Sequence, residues 1–88
     1  MMERSLQQER KYWDDRIGEV MRDIQMAKEL AEEFRKLHDR IYSVEPASPM
    51  AGKAQRDVLQ FCINRQVQVQ SQLEKLDDKL EQLKAERP

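Results

Sequence analysis

The chain has 88 residues, of which 38% are charged and 6% aromatic, with two glycines, three prolines and a formal net charge of −1. That balance bounds it at one domain and argues against a compact mixed fold, whose turns would demand more Gly and Pro. Nine Lys/Arg stand against ten Asp/Glu up to Val44 and seven against seven after it, so no basic block offers to neutralise phosphates and nucleic-acid binding is disfavoured.

Ser5, with Gln8 three residues on, reads as a capping box and predicts a helix over 5–43. Within it Leu6, Trp13, Ile17, Val20, Ile24, Ala27, Ala31, Phe34 and Ile41 are spaced by three, four or seven residues, the pattern of a and d positions in a heptad seam. Arg10 and His38 interrupt the seam, and Gly18 beside it lowers helix propensity by up to ~1 kcal/mol relative to Ala. Ion pairs at i, i+4 are expected for Arg10–Asp14, Lys11–Asp15, Glu32–Lys36 and Arg35–Asp39.

The strongest punctuation is SVEPASPMAGK, residues 43–53, which predicts a turn over 44–48. Ser48 then serves as N-cap and Pro49 as first helical residue, where a missing N–H costs nothing. The second helix is expected over 49–86. Its seam reads backwards as Leu83, Leu80, Leu76, Leu73, Val69, Gln66, Cys62 and Leu59. NRQVQVQSQL, residues 64–73, alternates apolar and polar residues as a strand would. A strand there would break the seam, find no pairing partner and lack Gly or Pro at its ends, so helix is the expectation.

The fold class is therefore all-α: a two-helix antiparallel coiled-coil hairpin spanning 1–88. Single cores of this size rarely supply more than ~3–5 kcal/mol, which points to association into a four-helix bundle. A docking face is suggested where apolar residues fall outside the seams. Leu30 and Leu37 sit at g positions of the first helix, and Val58, Phe61, Ile63 and Val67 widen the second. From Val58 to Leu73 the one charged residue is Arg65, and interface cores are depleted in charge. The candidate interface is Leu30, Phe34, Leu37, Val58, Phe61, Cys62, Ile63 and Val67.

Catalytic chemistry finds little support. His38 has Arg35 three residues before it, where a di-iron helix would need Glu. Asp14-Asp15, Glu32-Glu33 and Asp77-Asp78 are adjacent pairs that diverge around a helix. Cys62 is a single cysteine at a d-like position with no cationic cluster near it. MAGKAQ lacks the first glycine and the hydroxyl residue of a phosphate loop. Trp13 is expected to pack in the seam against the C-terminal leucines, with Tyr12 partly exposed. No cofactor and no metal are expected.

The turn lacks the Trp-x-Gly of ESAT-like hairpins, and the chain lacks the third helix and inward basic set of helical chorismate mutases. In length, acidity and open apolar face it resembles the small hairpin co-chaperones of type III secretion systems, which implies an adaptor or chaperone role. The expected function is a non-enzymatic interaction module that docks on a helical protein or on itself as a homodimer. Its expected setting is the cytoplasm, without membrane insertion. A small mutase-type enzyme at a dimer interface and a hairpin nucleic-acid regulator are the alternatives.

Overall fold

The computed structural model describes residues 2–87, with side chains from Leu6 to Arg87. Two helices, α1 (Met2–Tyr42) and α2 (Pro49–Glu86), fold back on each other as an antiparallel hairpin. At 1.5 Å per residue each is ~60 Å long, and the rod measures 73 × 15 × 13 Å. The alternating stretch 64–73 is helical throughout. Its Val69 and Leu73 are buried, whereas Val67 faces water. α1 begins at Met2, so Ser5 lies inside the helix and not at its cap. Residues 2–4 ahead of it are Met, Glu and Arg, all good helix formers, so the helical backbone runs through Ser5.

The two seams are the core. Ile17, Val20, Ile24, Val69, Leu73 and Leu83 are buried together, and Trp13, Ala27, Ala31, Leu76 and Leu80 pack against them. Tyr12 remains exposed, its ring meeting Trp13 edge-on at 5.7 Å. Leu6 is an exception among the predicted seam residues, being half exposed. Phe34 meets Phe61 and Ile41 lies level with Gln55. Extending that register along the rod places Leu6 beyond the last turn of α2, so it has no partner.

The seam of α2 runs further toward the turn than its leucines suggest. Gly52 is buried and Gln55 half-buried, continuing the three-four alternation from Leu59. The Gln55 side-chain amide donates to the carbonyls of Ile41 at 2.7 Å and Val44 at 2.6 Å. Ile41 O belongs to the last turn of α1 and Val44 O to the loop that follows it. One glutamine on α2 thus caps α1. The turn is tightened further by Ser43 N–H on Asp39 O at 3.2 Å and Val44 N–H on Ile41 O at 3.1 Å. Ser48 caps α2 as expected, its hydroxyl oxygen accepting from Ala51 N–H at 3.1 Å, with Pro49 in the first turn.

At the open end the two helices are joined by an ion pair that no local rule anticipates. Arg87, which ends α2, reaches Asp14 on α1 at 2.9 Å. The expected Arg10–Asp14 pair is thereby replaced by one between helices. Near the turn Arg35 bonds both Asp39 at 3.0 Å and Glu32, and Lys36 reaches Glu33 at 3.7 Å in place of Glu32. These pairs are exposed to solvent, which screens them and keeps their contribution small.

Candidate functional site

The rod is unevenly filled along its length. Distal to the turn the seam holds Ile17, Val20, Ile24, Val69, Leu73 and Leu83, all buried. Toward the turn the seam positions are Ala27, Ala31, Phe34, His38 and Ile41 on α1, and Gln66, Cys62, Leu59, Gln55 and Gly52 on α2. Of these ten, Cys62 and Gly52 are fully buried and the rest remain in part open. Small and polar residues occupy places where the distal half has branched aliphatics.

Besides Phe34, Ile41 and Leu59 in the seam, this half carries large apolar residues beside it. With Ala31 and His38 at a positions of α1 and Cys62 and Val69 at d positions of α2, the helix period sorts the neighbours onto two opposite flanks. One flank carries Met26, Leu30 and Leu37 from α1 and Ala51, Ala54, Val58 and Phe61 from α2. Phe61 closes edge-on against Phe34 at 6.2 Å, and the Arg65 guanidinium covers the outer face of Phe61 at 5.1 Å. Two shallow grooves lie along this flank. The first is walled by Met26, Ala27, Leu30 and Leu76 with Asp23, Glu29, Glu33, Gln72 and Lys75 at its rim. The second, at the turn, is almost wholly apolar, with Ile41, Val44, Pro46, Ala47, Ala51, Ala54 and Val58 along it.

The eight candidate interface residues therefore do not form one patch. Leu30, Phe34, Leu37, Val58 and Phe61 share the flank just described. Ile63 and Val67 are exposed, and their e and b positions put them on the opposite flank, with Tyr42 and Met21. Cys62 is 0% exposed, so the hairpin itself consumes it and it offers no docking contact. Met26, Val44, Ala51 and Ala54 belong to the patch, and the sequence reading misses them. Met26 is detectable, since it precedes Leu30 by four residues and so shares its face.

The other chemically suggestive residues are placed in ordinary roles. His38 is three-quarters buried as a side chain, stacked on Tyr42 at 6.1 Å with Nδ1 at 3.5 Å from Asp39. Arg35 holds the Glu32 carboxyl below its ordinary 4.5, first by their hydrogen bond and then by its charge, and Glu32 in turn raises Arg35. Among the described residues no group of three His, Cys, Asp or Glu stands close enough to hold a metal ion. Among them, too, no helix is long and apolar enough to cross a membrane. No family model matches the chain, and neither a curated protein nor a solved structure matches it.

Proposed function

We propose that this chain is a non-enzymatic hairpin interaction module of the cytoplasm, an adaptor or self-assembling unit, that docks through the flank formed by Met26, Leu30, Phe34, Leu37, Val58 and Phe61. One observation carries the reading: the half of the rod with the weaker internal seam carries a run of large apolar side chains along one flank outside it. Leu30, Val58 and Phe61 are each roughly half exposed at 48%, 39% and 49%. Covering each contributes ~1 kcal/mol, about half the value of burying such a side chain completely. The sum matches the few kcal/mol that a scaffold of this size draws from its own core. A partner on this flank supplies the missing layer of the core. The mutase-type alternative calls for converging Arg and Lys side chains, whereas the larger groove sets Lys75 beside three carboxylates.

Two double variants test this, Leu30→Lys with Phe61→Lys on this flank and Ile63→Lys with Val67→Lys on the other. Particle mass by analytical ultracentrifugation and binding of an apolar-surface dye are measured for both, with far-UV circular dichroism as the control for folding. The wild type is expected to associate or to bind dye, and the first variant alone to lose that property. A wild type that is monomeric, free of dye and indistinguishable from the first variant overturns the proposal.

A further inference from the structure

We infer that the flank is covered by a second copy of this chain, lying parallel to the first with both turns at the same end. This rests on the docking role of the flank, and it adds the occupant and its orientation. Charge placement selects both. On the α1 side the larger groove is rimmed by three carboxylates, Asp23, Glu29 and Glu33; on the α2 side it is rimmed by Lys75. Further along α2, Arg65 lies over Phe61 on the same flank. Arg16 and Arg40, the cations of α1 at equivalent positions, fall outside the apolar stretch between Met26 and Leu37. One flank therefore presents an acidic strip along one helix and a basic strip along the other.

Two copies can join by this face about a twofold axis in either of two ways, since a symmetric dimer uses the same patch on both subunits. An axis across the rod sets α1 on α1 and faces the acidic strips with each other. An axis along the rod sets α1 of each copy on α2 of its partner. The register given by Phe34 with Phe61 and Gln55 with Ile41 then fixes what meets what. Asp23 falls opposite the other copy's Lys75 and Glu33 opposite its Arg65, each within two to three residues, ~3–5 Å along the axis. Leu37 falls opposite Val58 and Val44 opposite Ala51 in the same register. Opposite charges meet at the rim while apolar residues meet at the centre, the usual anatomy of a specific interface. Every helix also has antiparallel neighbours, as in an up-down bundle.

The test combines mass with one distance. The full chain carrying Asp78→Cys is spin-labelled, with the unsubstituted chain as control for the buried Cys62. The expected particle has twice the 10.5 kDa chain mass. At 1.5 Å per residue Asp78 lies about 25 Å along the axis from Phe61. A parallel dimer keeps the two labels within the width of the bundle, less than about 35 Å, whereas an axis across the rod at the apolar patch separates them by about 50 Å. Replacing Asp23 and Glu33 together by Lys weakens the parallel dimer, and adding Arg65→Glu with Lys75→Glu in the same chain restores it. A dimer with the long label distance, or one indifferent to the charge reversal, overturns the orientation and leaves the docking flank intact. A monomer, or a mixture of larger species, overturns the second copy as occupant, while the dye measurement above still judges the flank.

Discussion

Gln55 offers the sharpest check on the hairpin, because two rules give opposite orders for its variants. Gln55 occupies a seam position, where a coiled coil prefers an apolar side chain. If packing ruled, Gln55→Leu would stabilise and Gln55→Lys would destabilise. In the structure the side chain works as a cap, its amide donating at 2.7 and 2.6 Å to the carbonyls of Ile41 and Val44. Each such bond contributes about 1 kcal/mol net, and Ile41 O keeps its Val44 N–H donor at 3.1 Å when Gln55 is replaced. Water reaches exposed Val44, which limits the loss there. A partly buried leucine recovers about 1 kcal/mol of transfer energy. Gln55→Leu is thus expected to destabilise by ~1 kcal/mol, or roughly 4–8 °C in midpoint for a domain of this size. Lysine keeps a donor and places a cation at the negative end of α1, so Gln55→Lys should stay close to wild type. Gln55→Glu has no donor at neutral pH and is the least stable; it recovers as pH falls through the carboxylate range and the side chain gains a proton to donate. Thermal and urea melts followed by circular dichroism, at one protein concentration so that association does not shift the midpoints, give the order directly. If leucine ranks above lysine, the cap is not what holds α1 to α2 at the turn.

Gly52→Ala should raise stability by ~0.5–1 kcal/mol through helix propensity, because an added Cβ would meet Pro46 at 3.7 Å, an ordinary contact; a lower melting midpoint would mean the turn packs closer than that. In a carboxyl NMR titration Glu32 should protonate below its ordinary 4.5, and Arg35→Gln should return it toward that value. Since the folded-state pKa is the lowered one, the local stabilisation is present above 4.5 and fades as pH falls through the folded value; an unchanged titration in Arg35→Gln would remove Arg35 as the cause. The Cys62 thiol, fully buried, should react with a thiol reagent at the rate of hairpin opening and much faster in denaturant, whereas immediate reaction in the native protein would refute its place in the seam.

The architecture is legible because three-four spacing states which side chains share a face, and that is a local property of the chain. Every apolar seam position from Trp13 to Ile41 and from Leu59 to Leu83 is buried or partly buried. Even the alternating stretch yields, since Val69 and Leu73 obey the longer period and Val67 does not. What is not legible depends on the register between helices. Asp14 has a cation at i−4 within α1, but its partner is Arg87 at the far end of the chain. Gln55 escapes notice because a polar residue near a turn looks like ordinary solvated surface until a carbonyl is placed beside it. The docking face suffers from a cruder error, in which a run of low charge from Val58 to Leu73 is taken for one surface. At 100° per residue such a run goes around the whole helix, so it mixes Val58 and Phe61 with Ile63 and Val67, which look the other way, and with Cys62, which looks inward.

The division of apolar residues between seam and flank bears on what the fold is for. A hairpin selected to stand alone would gain from leucine at position 66 and from glutamine or lysine at positions 30 and 61. This chain has the reverse arrangement in its turn-proximal half, keeping the distal half conventionally packed. The distal leucines and valines secure the hairpin, and Gln55 with Ser48 secures the turn. Between them the seam is only weakly filled. Polar residues at seam positions are also how coiled coils select register and assembly over mere adhesion. Gln66, at a seam position level with Leu30 and half-buried beside fully buried Cys62, sits where such selection acts. The weak seam and the exposed side chains of Leu30, Val58 and Phe61 thus stand at the same level of the rod.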